Sequence, residues 1–157
     1  MILFVNMLRY FYENDLVNYV ETTINDWRVA IEESSRHLLE KRIIDHVYVE
    51  EMIRNVEEHG AYILIAPHVA MPHAMQGGSH VFDTTISFTK MNVPVPFEEG
   101  TKSASLFFTL AAKEPKQHLE NIQSLSELLM QDGLIEELLA TETIEDYQMV
   151  MEKYEPI

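Results

Sequence analysis

The chain has 157 residues, 46% of them hydrophobic and 24% charged, a globular balance sized for a single domain with a sizeable core. Its formal net charge of −15 argues against nucleic acid or an anionic membrane surface as partner, because phosphates are bound by lysine and arginine, and it suits either a partner with a basic patch or simple solubility. The absence of cysteine excludes disulfides, thiolate-bound metal and a thiol nucleophile, and it is compatible with the cytoplasm.

No apolar run approaches the roughly 18 residues a membrane span needs. Met1 to Val5 is apolar, but it ends at Asn6 and lacks the basic flank and cleavage site of a signal peptide. Met7 is a second candidate start.

Residues 7–25 mix apolar and acidic positions without a clean period, so a short helix and a strand both stay open. Asp26 suits an N-cap, Trp27 and Ile31 share a face, and Leu38 continues it, which predicts a helix ending near Lys41. A second helix covers 47–59: Val49, Met52, Ile53 and Val56 fall on one stripe, and Gly60 stops it. Residues 62–66 read as a buried strand, and 69–71 as a second after Pro67 and His68. Residues 81–90 read as another strand, with Phe82, Thr84, Ile86 and Phe88 at alternate positions. Residues 93–100, with two prolines and two glutamates, read as a connection. Residues 104–112 are strongly apolar and suit the centre of a sheet. Glu114-Pro115 opens a helix, with proline well placed at its first position, that runs to about Gln131. Asp132-Gly133 breaks it. A short helix covers 134–140, and Thr143 with Asp146 caps a last one reaching about Tyr154. Strands in the middle and helices at both ends argue one α/β sandwich.

The chemistry concentrates in residues 61–80, AYILIAPHVAMPHAMQGGSH. Pro72 fixes its own φ and biases Met71 toward an extended conformation, so the backbone entering His73 is stiff. Gly77-Gly78 then makes a turn. An imidazole aimed beside a flexible turn suits a nucleophile or proton carrier; the plainer alternative is a polar residue at a strand end. Val69, Met71 and Met75 would keep water from it.

His118 lies in the first turn of the helix opened by Pro115. Ile122, Leu125 and Leu129 follow on the same face, which places His118 at the rim of the core. A helix start offers free N–H groups and partial positive charge to an anion. If the preceding strand delivers this helix to the end of the sheet that carries His73, two imidazoles converge. That constellation suits a phosphoryl group on histidine. The alternative is a helix-start residue packed on Leu119 or Ile122. The sequence has no nucleotide phosphate loop, no GxSxG elbow and no HExxH. His68, His73 and His80 form an alternative metal set, although the first two, five apart across a proline, point to different faces of an extended chain. His37, His46 and His59 read as solvated residues at helix ends.

Three segments carry a family likeness: WRVAIEESSRHLLEKRII (27–44), YVEEMIRNVEEHGAYILIAPHVAMPHA (48–74) and FFTLAAKEPKQHLENIQSLSELL (107–129). With them the chain resembles Enzyme IIA of the sugar phosphotransferase system, mannitol/fructose type (type 2), and within it the ascorbate-specific branch. IAPHVAMPHA is similar to the family's phosphorylation-site motif with its terminal Pro-His. The resemblance implies a single domain over residues 1–157, a three-layer-like sandwich with a central mixed β-sheet flanked by helices. It implies that His73 takes a phosphoryl group, on Nε2, from the phosphocarrier protein HPr. The group would pass to a cysteine of Enzyme IIB and end on a sugar carried by the membrane Enzyme IIC, the sugar being L-ascorbate or a related compound. His118 matches the family's second active-site histidine, and the reaction needs neither ATP, metal nor another cofactor. The resemblance places the chain in the cytoplasm and leaves a homodimer open. It equally allows a regulatory module whose histidine phosphorylation signals to a target protein. The chain departs from the pattern at His68, where glycine is usual, at Met75, where the ascorbate branch often has arginine, and at Asn55, where mannitol-type members have arginine.

Overall fold

The computed structural model of the chain describes residues 6–74 and 79–157. The strands are β1 (Val17–Val20), β2 (Leu64–Ala66), β3 (His68–Ala70), β4 (Thr85–Phe97) and β5 (Lys102–Ala111). The helices are α1 (Met7–Glu13), α2 (Trp27–Ser34), α3 (Arg36–Glu40), α4 (His46–His59), α5 (Pro115–Leu129), α6 (Leu134–Leu139) and α7 (Ile144–Tyr154). The strands form one sheet in the order β1-β4-β5-β3-β2. It is mixed: β1 with β4 and β3 with β5 are parallel, β4 with β5 and β2 with β3 antiparallel.

Helices cover both faces, and two consecutive residues show it. Side chains alternate along a strand. Phe107 packs on Phe97, which stacks on Trp27 of α2, whereas Phe108 meets Phe11 of α1 and Phe88, which in turn meets Tyr147 of α7. β5 is therefore buried on both sides, as its apolar run predicts. The α1 face is also locked to the end of the chain. The Glu155 carboxylate accepts the Leu8 and Arg9 N–H groups at 2.8 Å each, capping a helix whose own N-cap, Asn6, makes no side-chain bond.

Most helix signals act as read. Asp26 accepts from the Arg28 N–H, Thr143 accepts from the Asp146 N–H, Gly60 ends α4 at φ +80°, and Pro115 opens α5. Residues 7–25 hold both a helix and a strand.

Four expectations change. The helix expected from Asp26 to Lys41 is two helices meeting at Ser35, because the Ser34 and Ser35 hydroxyls bond back to the Ile31 carbonyl at 3.0 and 2.7 Å and compete with the helical ladder. The expected buried strand at 62–66 is the three-residue edge strand β2, with Ile65 41% exposed. The expected strand and connection at 81–100 are largely one strand, β4, which begins only at Thr85, so Phe82 is 52% exposed. Pro94 falls where the pairing with β5 shifts between Lys90 and Val95, and the missing N–H of proline does no harm there. His37, expected in solvent, is bonded through Nδ1 to the Asp15 carbonyl at 2.9 Å, while His46 and His59 are exposed.

Candidate active site

Parallel pairing of β3 with β5 aligns His68 with Ala104 and Ala70 with Phe107, so both strands leave the sheet at the same end. His73 follows β3 there, and α5, carrying His118, follows β5. The ends of parallel strands are where open α/β sheets commonly build sites. The two rings, 45 positions apart in sequence, lie 5.1 Å apart between centroids at an angle of 50°.

The loop that presents His73 is tied at every turn of its backbone. The Met71 N–H donates to the Ile63 carbonyl at 2.7 Å, and the Leu110 N–H of β5 donates to the Pro72 carbonyl at 2.9 Å. The Tyr62 hydroxyl donates to the His73 carbonyl. The Ala74 N–H donates to the Tyr48 hydroxyl at 3.3 Å, and that hydroxyl donates to the Leu110 carbonyl at 2.7 Å. The stiff entry expected from Pro72 is thus reinforced by tertiary bonds. Beyond the loop, His80 Nδ1 meets Asp45 Oδ2 at 2.8 Å, and Asp45 Oδ1 caps α4 through the Val47 and Tyr48 N–H groups. Burial pushes the Asp45 carboxyl up, but the His80 bond and the backbone N–H groups outweigh it and hold the group below its ordinary value.

One hydrogen bond fixes the tautomer of His73. Its Nδ1 lies 2.6 Å from the Met71 carbonyl. A carbonyl only accepts, so Nδ1 carries the proton and the lone pair of the neutral ring sits on Nε2. Burial lowers the pKa of His73, partly offset by the Met71 carbonyl. Burial also lowers that of His118, and the neighbouring His73 lowers it further. Both rings are therefore neutral at pH 7, and Nε2 is free to act as a nucleophile. The start of α5 adds donors: Pro115 has no N–H and the His118 N–H bonds to the Glu114 carbonyl, so the Lys116 and Gln117 N–H groups lack intrahelical acceptors. The Gln117 side chain is anchored by the Thr84 hydroxyl at 2.6 Å. The arrangement can hold a negatively charged group on Nε2 between a second imidazole and a helix start.

A pH dependence follows. NMR titration of the two rings should give midpoints below the ordinary imidazole value near 6.5. The unfolded chain takes up these protons first, so their contribution to stability is whole above about pH 6.5 and is lost as the pH falls through the folded-state values. Midpoints above 6.5 would contradict the burial of the pair.

Other expectations fare differently. Val69 and Met71, expected to shield the loop from water, are 0% and 1% exposed and belong to the core; Met71 serves His73 through its carbonyl instead. The His118 ring meets His73, and Leu119, one of the two residues of the plainer alternative, is exposed. His68, His73 and His80 have separate surroundings: His68 is exposed at a bulge in β3 with φ +70°, and His80 pairs with Asp45. No cluster of three metal-ligating side chains occurs among the described residues. Met75 and the Gly77-Gly78 turn lie outside the described residues. Asn55 is half-buried, with its amide in reach of the Tyr62 hydroxyl, and Arg54 is exposed. The sequence reading missed Tyr48 and Tyr62. The available signal was a tyrosine in each otherwise apolar segment, whose hydroxyl must find a partner once buried.

Residues 11–154 match the family described as "Phosphoenolpyruvate-dependent sugar phosphotransferase system, EIIA 2". The chain is 34% identical over 114 residues, 73% of its length and 77% of the relative's, to the mannitol-specific cryptic phosphotransferase enzyme IIA component of Escherichia coli K12. It is 28% identical over 118 residues, 74% of each chain, to the ascorbate-specific PTS system EIIA component of Mycoplasma pneumoniae. The solution structure of the mannitol-specific cryptic enzyme IIA CmtB of Escherichia coli superposes with a TM-score of 0.80 at 27% identity, covering 93% of this chain and 98% of that one. The mixed sheet flanked by helices is the fold of that relative, and a match spanning nearly the whole sequence leaves one conclusion: the chain belongs to the EIIA 2 family of the phosphoenolpyruvate-dependent sugar phosphotransferase system.

Proposed function

We propose that residues 1–157 act as a single cytoplasmic phosphocarrier domain, in which His73 takes a phosphoryl group from phosphorylated HPr and gives it to a cysteine of Enzyme IIB. The observation that carries this reading is the Nδ1 bond of His73 to Met71, which leaves the Nε2 lone pair free beside the ring of His118. Nε2 attacks phosphorus in line. The new N–P bond forms as the bond to the donor breaks, and its electron pair leaves with the donor. On the way out, the partner's thiolate attacks the same phosphorus and the N–P pair returns to Nε2. His73 keeps its Nδ1 proton throughout, so no base is required. His118 and the first N–H groups of α5 stabilise the charge on the transferring oxygens. The chain supplies position and electrostatics, without ATP or metal.

The relatives named above are mannitol- and ascorbate-specific. The sugar delivered through the membrane Enzyme IIC is L-ascorbate or a related compound, with mannitol the competing assignment. The test is incubation of the purified chain with phosphorylated HPr, followed by addition of mannitol-type and ascorbate-type IIB proteins. One acid-labile phosphoryl group should appear on the chain and then move to one IIB. A chain that stays unlabelled would end the proposal.

A further inference from the structure

Tyr62 precedes β2, packed against the edge of the apolar core, and it touches His73 twice. Its hydroxyl donates to the His73 carbonyl, and its ring stands at 90° to the imidazole with centroids 5.1 Å apart. A phenol has one proton, and the carbonyl can only accept it. The Asn55 amide on α4 neighbours the same hydroxyl and holds its pKa down against burial. Burial pushes the Tyr62 hydroxyl up to about 12, which keeps it a donor at any physiological pH. Tyr48 and Leu110 hold the residues on either side of His73, Ala74 and Pro72. Tyr62 holds His73 itself, and its ring limits how far the imidazole can turn away from Met71.

We infer that Tyr62 is a positioning residue for phosphoryl transfer at His73. With Asn55 behind it, it fixes the carbonyl and one flank of the imidazole so that Nδ1 stays on Met71 and Nε2 stays aimed outward. Its rate consequence rests on the carrier reading above; its structural consequence does not. An attacking atom displaced by about 1 Å can lose 10²-fold in rate.

Two readouts test it. In transfer from phosphorylated HPr, Tyr62→Phe should lower kcat by about 10- to 100-fold while KM stays within about twofold, since the lost hydroxyl bonds His73 and not the donor. In ¹⁵N NMR of the unphosphorylated protein, His73 should be the Nδ1–H tautomer in the parent and shift toward a mixture in Tyr62→Phe. Asn55→Ala, which keeps the phenol but removes the amide beside it, should move both readouts less and in the same direction. It decides the matter if Tyr62→Phe fails to melt cooperatively. Parental kcat with an unchanged tautomer, or a slowdown carried by KM alone, would overturn the inference. A parent that takes no phosphoryl group would end the carrier reading instead, and the tautomer shift would still decide the role of Tyr62.

Discussion

Replacing His73 with glutamine is expected to abolish phosphoryl acceptance, to below about one-thousandth of the parental rate, because removing a nucleophile leaves nothing to form the covalent intermediate. The fold should survive. The side chain stands at the end of the sheet, the loop is held by backbone bonds to Ile63, Leu110, Tyr48 and Tyr62, and an amide can still donate to the Met71 carbonyl. His118→Gln gives a graded contrast. It keeps the nucleophile and removes one stabilising ring, so a loss of about 10²-fold is expected, the size seen when one preorganised donor is deleted from a site. Acid-labile label measured on the three proteins under one set of conditions separates the roles. Parental labelling of His73→Gln, or label found on His118, would refute the assignment.

Phe88→Ala should give the largest loss of stability among single substitutions in the core, about 3–5 kcal/mol. Phe88 is fully buried on β4, with ring centroids 5.1 Å from Phe108, 5.6 Å from Tyr147 and 6.3 Å from Tyr19. It therefore joins β1, β5 and α7, and no neighbour can collapse into the space without opening another gap. For a chain of this size the melting temperature should fall by roughly 6–20 °C. Phe82→Ala is the control: the same truncation at a half-exposed position should change stability by about 0.5 kcal/mol or less. Denaturant titration of both variants checks the pair, and equal losses would contradict the packing described.

Much of this was legible in the sequence because it is local. Asp26, Thr143, Pro115 and Gly60 act within one turn of their own positions, and the stripe Val49, Met52, Val56 needs only a helical period. Local signals marked His73, through its preceding proline, and His118, through the apolar face it tops, only as candidates, and their meeting depends on the register of β3 on β5. Features settled by distant partners were not legible. Ser34 and Ser35 look neutral until their hydroxyls choose the Ile31 carbonyl over the ladder. Pro94 and Pro96 look like a loop until β5 resumes pairing at Val95 and carries β4 on to Phe97. Tyr48 reads as one more apolar residue in a helix. Its value lies in a hydroxyl placed between Leu110 and Ala74, which only the packing of α4 on the sheet creates.

The alignment of β3 beside β5 makes the two rings hostage to one strand pairing. Each strand brings one imidazole, so a molecule whose β3 has peeled away from the sheet separates the rings and breaks the Leu110 bond to Pro72 in the same event. Contact between His73 and His118 is therefore a local gauge of whether that edge of the sheet is intact.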